Sequence, residues 1–248
     1  MKIKLYGTGS FAAKSASPSA LIDDCILFDC APELTKKLIA DKVDFEKINT
    51  IIISHFHADH DFDLPSLLCY LKYNTKKKPE DLTIIAPKGA SERYIALSKL
   101  ANFGTAGDVA AAAIIEIDET ELEDGIEIDG YTIQPYNIDH TTYLENYGYA
   151  ITKNGKTAGF SGDAVLCDTL HKLVEESDIA FVDITGPTPS RITASHMDIP
   201  DYELLVKKYP RCKVIPTHMS DNTKTKLAEL GYNPPSDGDV FEIKRSKK

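Results

Sequence analysis

The segment TIIISHFHADH, residues 50–60, joins an apolar stretch to a dense group of histidines. Residues 50–53 are β-branched throughout, which predicts a buried strand. Three imidazoles and one carboxylate follow within six residues, and such nitrogen and oxygen donors suit Zn²⁺, Mn²⁺ or Fe²⁺. Unpaired imidazoles packed this closely would repel one another on protonation, so a bound metal is the simplest reason to crowd them.

The spacing inside this cluster predicts how its members divide between ions. Residues two apart in an extended chain point the same way, so His55 and His57 can hold one ion. The chain must then turn, and Asp59 with His60 can face a second ion. A loop that leaves a rigid strand is well placed to aim such ligands.

Other ligand-type side chains also follow predicted strands: His140 after residues 131–138, Asp163 after 157–161, and His218 after 213–216. The repetition, more than any one residue, indicates that these strand ends meet at one site. A carboxylate can bridge two metal ions a few Å apart, and Asp163 is the candidate for that position.

The two remaining histidines differ in their surroundings. His196 lies in a loop and is interpreted as catalytic or substrate-binding, with a metal-ligand or structural role as alternatives. His171 lies on a polar helix face beside Lys172 and Glu175, so we predict that it is a surface residue.

Composition and patterning describe an ordinary globular protein of 248 residues with a net charge of −10. Strand-like and helix-like segments alternate without a linker or repeat, which predicts one layered α/β domain over residues 1–248. A helix is predicted at 90–101, followed by a Gly/Ala-rich joint at 104–113. Since there is no apolar run of about 20 residues and no apolar signal stretch, neither a membrane span nor export is expected.

The chain has five cysteines and no C-x-x-C pair. An odd number without that spacing indicates reduced thiols and a cytoplasmic location, and argues against a disulfide framework or a thiolate zinc site.

The H-x-H-x-D-H motif at 55–60, followed in order by His140, Asp163 and His218, resembles the metallo-β-lactamase fold superfamily over essentially the whole chain. That resemblance implies an αββα four-layer sandwich, with two mixed sheets and helices outside. It also implies a dinuclear site for two divalent ions, zinc first, with manganese or iron as alternatives. The implied ligands are His55, His57 and His140 for the first ion, Asp59, His60 and His218 for the second, and Asp163 between both.

Within the superfamily, the chain is most similar to the ribonuclease Z and phosphodiesterase branch. DHDFDLP, residues 59–65, resembles that branch's D-H-x-x-G-L-P run. Ser195-His196-Met197 resembles its extra histidine beside the scissile phosphate, and Val182–Thr185 resembles an E-A-T segment whose acid orients that histidine. The implied catalytic residues are Asp59, His196 and Asp183.

This resemblance implies a metal-dependent phosphodiesterase that uses an activated hydroxide on a small phosphodiester or nucleotide. Asp63 stands where the family has glycine, and it either caps the helix that starts at Leu64 or narrows the site. Asp183 replaces a glutamate and is one methylene shorter.

Only 22 residues separate His140 from Asp163. Ribonuclease Z proteins carry a long tRNA-clamping arm around this position, and the chain has no room for one. With the negative net charge, this predicts a small-molecule substrate, no large RNA partner and no membrane partner, while a homodimer is left open.

Two other functions use the same residues. The same pair of metals would serve a hydrolase of acyl bonds: a lactonase, thioesterase or amidase. The third hypothesis is a metal sensor or an iron oxidoreductase. The redox relatives, however, usually have glutamate at the position of His57 and carry a flavin domain.

Overall fold

A computed structural model describes residues 1–189 and 194–244. The strands in this part of the chain are β1 Lys2–Gly7, β2 Ser19–Ile22, β3 Ile26–Phe28, β4 Thr50–Ile52, β5 Thr83–Ala86, β6 Ala113–Glu116, β7 Ile126–Ile128, β8 Tyr131–Asn137, β9 Tyr147–Lys153, β10 Lys156–Phe160, β11 Ile179–Asp183, β12 Lys213–Thr217 and β13 Val240–Glu242. The helices are α1 Leu34–Ala40, α2 Ala58–Asp61, α3 Leu64–Asn74, α4 Ala90–Ala101, α5 Ala106–Ala111, α6 Glu119–Asp124, α7 Asp168–Glu175, α8 Ile199–Lys208 and α9 Asp221–Glu229.

The strands form two mixed sheets. The first has the order β13-β1-β2-β3-β4-β5-β6, and it is parallel from β3 to β6 and antiparallel at its other end. The second has the order β12-β11-β10-β9-β8-β7, and it is parallel from β10 to β12 and antiparallel elsewhere. Parallel pairs need crossover connections, which explains why helices separate the strands of those regions.

Three apolar clusters define the layers. One lies between the sheets and includes Ile52 of the first sheet and Phe181 of the second. The second packs the other face of the first sheet, including Ile51, against α1, α3 and α4. The third packs the other face of the second sheet, including Val182, against α7, α8 and α9. A strand buried on both faces is apolar along most of its length, as in residues 51–53.

The result is an αββα sandwich, as the sequence predicts. The predicted Gly/Ala-rich joint at 104–113 contains helix α5, and the segment between β6 and β7, to which the sequence analysis assigns no element, contains helix α6. The Asp118 carboxylate caps α6 by accepting from the Thr120 N–H, and Asp118 followed by Glu121 is the sequence pattern of a capping box. Within the described residues, no helix has both the length and the apolar character needed to span a bilayer.

Candidate metal centre

The candidate residues converge because their strands end at one edge of the sandwich. The loop after β4 carries His55 and His57, and the short helix α2 carries Asp59 and His60. In the second sheet, β8, β10 and β12 run in one direction and end just before His140, Asp163 and His218, respectively. The site therefore receives one loop from the first sheet and three from the second.

The backbone next to the ligand loop allows no side chain at Gly162. Its φ is +61°, and a Cβ there would approach the Ser54 Cβ to 2.8 Å. Glycine therefore lets the Asp163 loop pass directly against the loop of His55.

A first group of nitrogens meets at one oxygen of Asp163. His55 Nε2 lies 3.0 Å from His57 Nδ1, and His140 Nε2 lies 3.3 Å from the same His57 atom. Asp163 Oδ2 is 3.7 Å from His55 Nε2 and 3.6 Å from His140 Nε2. These four donor atoms lie within 4.8 Å of one another, which is compact enough to hold one ion.

The second group faces the other oxygen of the same carboxylate. Asp163 Oδ1 is 3.1 Å from His60 Nε2 and 3.4 Å from His218 Nε2. Asp59 Oδ2 closes the group, at 3.8 Å from His60 Nε2 and 3.4 Å from His218 Nε2. Asp163 thus presents one oxygen to each group, which is the arrangement that a bridging carboxylate requires.

Two buried atoms show that these donors fit a cation. His60 Nε2 and Asp163 Oδ1 are fully enclosed and lie 3.1 Å apart, yet neither makes a hydrogen bond of acceptable geometry among the described residues. Buried polar groups are nearly always satisfied, so orphans aimed at one point indicate a ligand there. Imidazole nitrogen and carboxylate oxygen are donors that divalent ions such as Zn²⁺, Mn²⁺ and Fe²⁺ accept.

The far sides of the ligand imidazoles are held by other buried groups. Asp29 Oδ2 lies 2.7 Å from His60 Nδ1 and 3.1 Å from the Ser54 hydroxyl, which in turn lies 3.0 Å from His55 Nδ1. His140 Nδ1–H donates to the Ser195 carbonyl at 2.6 Å. Such contacts fix which nitrogen faces the metal and raise the basicity of the ligand.

The electrostatics of the two groups differ. Burial lowers the pKa of His55, His57 and His140, so these imidazoles are neutral and ready to bind a cation. Burial opposes protonation of His60 and His218 as well, but Asp163 and the neighbouring carboxylates outweigh it: the pKa of His60 rises well above its usual value and that of His218 rises to about 10. The second group therefore lies in a strongly negative field, which favours a cation.

His196 faces the metal centre from one side. Its Nδ1 lies 2.7 Å from Asp183 Oδ2, and its ring centroid is 4.9 Å from that of His140 and 5.2 Å from that of His218. Burial lowers the pKa of His196, but the Asp183 carboxylate more than offsets it and the net shift is upward. Asp183, the last residue of β11, is fully buried and its pKa is lowered because the charges of His196 and His218 outweigh burial.

The structure supports neither of the two alternatives for Asp63. It occupies the position before α3, but its side chain does not cap that helix. Its Oδ2 instead accepts from the Thr35 N–H at 2.6 Å, which lies in the first turn of α1. Asp63 therefore caps a different helix and does not project into the site. His171 lies on α7 beside Tyr209, apart from the other six histidines.

Several residues that support the site are not among those predicted from the sequence. The Thr185 hydroxyl lies 2.6 Å from His218 Nδ1 and 2.7 Å from Asp183 Oδ1. The Arg93 guanidinium binds Asp61 directly after the histidine cluster. Asp61 stands inside the motif and Thr185 inside the quoted V-D-I-T segment, but Arg93 carries no local signal. Tyr143 is different, because its place three residues after His140 makes it a candidate pocket-lining residue from the sequence, and its hydroxyl lies 3.2 Å from His57 Nε2.

The fold and the clustered donors define a metallo-β-lactamase fold protein with a candidate dinuclear centre. A sequence model of the family described as the Beta-lactamase superfamily domain matches residues 25–219, and the chain belongs to this family. The resemblance found from the motifs is therefore confirmed, whereas the individual ligand and catalytic assignments stay predictions.

The chain is similar to proteins of the ribonuclease Z branch, as the motifs predict. Ribonuclease Z of Methanosarcina acetivorans is 28% identical over 168 residues, covering 65% of this chain and 51% of the relative. The human tRNase Z short form has a TM-score of 0.76 at 20% identity, covering 98% of this chain and all of that one. The metallo-β-lactamase fold protein YhfI of Bacillus subtilis also gives 0.76 at 20% identity, covering 97% of this chain and 99% of that one. The chain spans about half the length of the curated relatives that it matches.

These relatives contradict the prediction that a large RNA is not a partner. The Methanosarcina relative is named a ribonuclease and the human one a tRNase, so excluding RNA was wrong. The net charge is a sum over the whole surface and does not describe the field at the mouth of one site. The lack of room for an arm between His140 and Asp163 removes only one way of holding an RNA.

Proposed function

We propose that the protein is a metal-dependent hydrolase of phosphodiester bonds, in nucleic acid or in smaller diesters. The observation that carries this proposal is the His196–Asp183 pair beside the two donor groups. A phosphodiester releases an alkoxide, which is a poor leaving group unless it receives a proton. A positioned imidazole backed by a carboxylate supplies that proton.

The two donor groups would hold two divalent ions, with Asp163 between them. When bound, such ions lower the pKa of water and neutralise charge on the phosphoryl oxygens. Zinc is the first candidate because its usual ligands are imidazole and carboxylate, and manganese or iron are alternatives. Asp59 is the most exposed member of the second group, with 18% of its side chain accessible, so it can also accept a proton from an attacking water.

His196 acts as the imidazolium, which carries a proton on each ring nitrogen. Its Nδ1–H donates to Asp183, which leaves Nε2 as the atom that presents a proton to the departing oxygen. The raised pKa of His196 keeps that proton in place near neutral pH until the bond to phosphorus breaks. Asp183 positions the ring and does not itself reach the substrate, since it is fully buried.

The test varies the leaving group in a His196→Ala protein. With a nucleoside alkoxide as leaving group, loss of the proton donor should slow turnover by about 10²-fold or more. With p-nitrophenolate, which needs no proton, the loss should be much smaller. Metal content should be unchanged, and His171→Ala serves as the matched control on a histidine outside the site.

An equal loss with both leaving groups would show that His196 is not a proton donor. Comparison of kcat/KM for an RNA and for a small diester then measures which size of substrate the site prefers.

Hydrolysis of acyl bonds is the alternative, because the same two ions would polarise a carbonyl group. A lactone and a thioester assayed beside the phosphodiester distinguish the two. Turnover of the acyl substrates alone would reject the phosphodiesterase proposal. Tightly bound iron together with redox turnover would favour the third hypothesis, an iron oxidoreductase.

We also propose a cytoplasmic location. All five cysteines are free thiols. Free thiols persist in a reducing compartment, which supports this part of the proposal.

A further inference from the structure

Arg93 binds the segment that carries the first four candidate ligands, residues 55–61, at two points. Its Nε and Nη2 donate to the two oxygens of Asp61 at 2.5 and 3.0 Å, a bidentate pairing. The same Nη2 also donates to the Phe56 carbonyl at 2.8 Å. One planar group on α4 therefore binds both the backbone and a side chain of a segment only six residues long.

The surroundings of the guanidinium hold it in place. Asp61 is fully buried, and only 26% of the Arg93 side chain is accessible. The Arg93 guanidinium carbon lies 4.8 Å from the ring centroid of Phe56 and 5.6 Å from that of Phe62. Contacts of this kind add cation–π attraction on top of the ion pair. Phe56 in turn meets the buried ring of Tyr94 edge-on, with centroids 6.0 Å apart.

The two binding points lie near opposite ends of the H-x-H-x-D-H motif. The Phe56 carbonyl stands between His55 and His57, which belong to the first donor group. Asp61 directly follows Asp59 and His60, which belong to the second. A rigid guanidinium that spans both points fixes the distance between the two halves of the motif, because its nitrogens cannot move independently.

We infer that Arg93 is a positioning residue that sets the separation of the two metal pockets. It acts on the ions only through the loop, and it contacts none of the seven donor residues named above by hydrogen bond or ion pair among the described residues. This inference rests on the proposed metal centre. Its consequence is that losing Arg93 weakens metal binding even when the fold is intact.

A purely structural ion pair would behave differently. Removing one partner of a buried pair leaves an uncompensated charge and destabilises the protein, whereas replacing both with apolar residues is often neutral. The double variant Arg93→Met with Asp61→Leu therefore separates stability from positioning. Arg93→Lys is the conservative variant, since one ammonium retains the charge but cannot reproduce the two-point fork.

The experiment titrates metal-free protein with Zn²⁺ against a chromogenic chelator and records the melting temperature of each variant. The wild type should take up two ions per chain. The double variant should melt near the wild type yet bind at least one ion about 10- to 100-fold more weakly, the usual effect of losing a group that orients ligands. Arg93→Lys should fall between the two. Lys72→Met removes the Lys72–Asp108 pair, which joins α3 to α5 away from the loop, and should bind as the wild type does.

Wild-type affinity in a double variant that has regained its melting temperature would overturn the inference. If that variant does not fold, wild-type affinity in Arg93→Lys overturns it instead. A wild-type protein that takes up no metal at all would refute the metal centre itself, a different result from normal uptake in every variant.

Discussion

At the scale of single residues, the hydroxyl of Thr185 connects two functions that the sequence keeps apart. It donates to Asp183 Oδ1 at 2.7 Å and can accept from His218 Nδ1–H at 2.6 Å. The other oxygen of Asp183 binds His196 at 2.7 Å. One buried carboxylate therefore orients the candidate proton donor directly and a candidate metal ligand through Thr185.

Thr185→Val should affect the metal and not the proton donor. Valine has the shape of threonine but removes the hydroxyl that His218 Nδ1 and Asp183 Oδ1 share, which leaves these two atoms only their longer contact of 3.4 Å with each other. We expect metal affinity to fall by about 10- to 100-fold and the free energy of unfolding to fall by roughly 1–3 kcal/mol. Chelator competition measures the first effect and urea denaturation the second.

Thr185→Ser retains the hydroxyl and is the matched control, so it should bind metal nearly as the wild type does. If Thr185→Val also binds metal normally, His218 does not depend on this hydroxyl for its orientation.

The donor residues could be predicted because the chemistry that they share leaves a local signal. Three histidines within six residues are conspicuous, and His140, Asp163 and His218 each follow a recognisable strand. Arg93 could not be predicted, because an arginine has many uses and only the fold brings it to the site. Thr185 stands inside the quoted V-D-I-T segment, but its contact with His218 depends on the fold and could not be predicted.

At the scale of elements, helix α4 depends on a residue from a distant strand. Gly89 precedes the helix and has no side chain to cap it. Glu116, at the end of β6, accepts from the Gly89 and Ser91 N–H groups, each at 2.9 Å. These backbone hydrogen bonds lower the pKa of Glu116. The Glu116 carboxylate therefore caps the N-terminal end of α4, the helix that carries Arg93, although it belongs to a different element.

Glu116→Gln should destabilise the protein by about 1 kcal/mol at pH 7, the usual worth of a helix cap. Because the pKa of Glu116 is lower in the folded state, its contribution is complete above the unfolded value near 4.5 and is lost as the pH falls through the folded value. The difference between wild type and variant should therefore shrink below about pH 4.5. Urea denaturation across pH 3.5–7 measures it.

Glu119→Gln offers a control, since Glu119 also lies in the first turn of a helix but in α6. A difference between wild type and Glu116→Gln that does not change with pH would contradict a role for the ionised carboxylate.

The elements themselves are largely predictable. The pattern of apolar residues predicts α4 at 90–101, and the structure has it at Ala90–Ala101. Asn154-Gly155 predicts the hairpin that joins β9 to β10. Helices α5 and α6 were missed because each has only six residues, which is too short for a helical period to show.

At the scale of the whole molecule, the candidate centre joins the two sheets. Four of its donor residues come from one loop of the first sheet, and the other three follow strands of the second. The pairing of strands in each sheet could be anticipated only as a mixed arrangement, since the order of strands depends on contacts distant in sequence. The convergence of donors follows from that order.

Removing metal should therefore loosen the whole sandwich and not only the loops. An ion present at about 100 times its Kd stabilises the folded state by about 2.7 kcal/mol. For a chain of this size, that corresponds to a melting temperature higher by roughly 5–10 °C. We expect EDTA to lower the melting temperature by this amount, and Zn²⁺ in excess of the chelator to restore it.

Asp163→Ala tests whether one carboxylate serves both ions, because it removes the side chain that faces both donor groups. This variant should hold fewer than two ions and should respond less to EDTA than the wild type, whereas His171→Ala should respond fully. Two ions retained in Asp163→Ala would refute the bridging position of Asp163. An unchanged melting temperature of the wild type after complete removal of metal would show that the sheets are held together by their apolar layers alone, so that the ions contribute chemistry without stability.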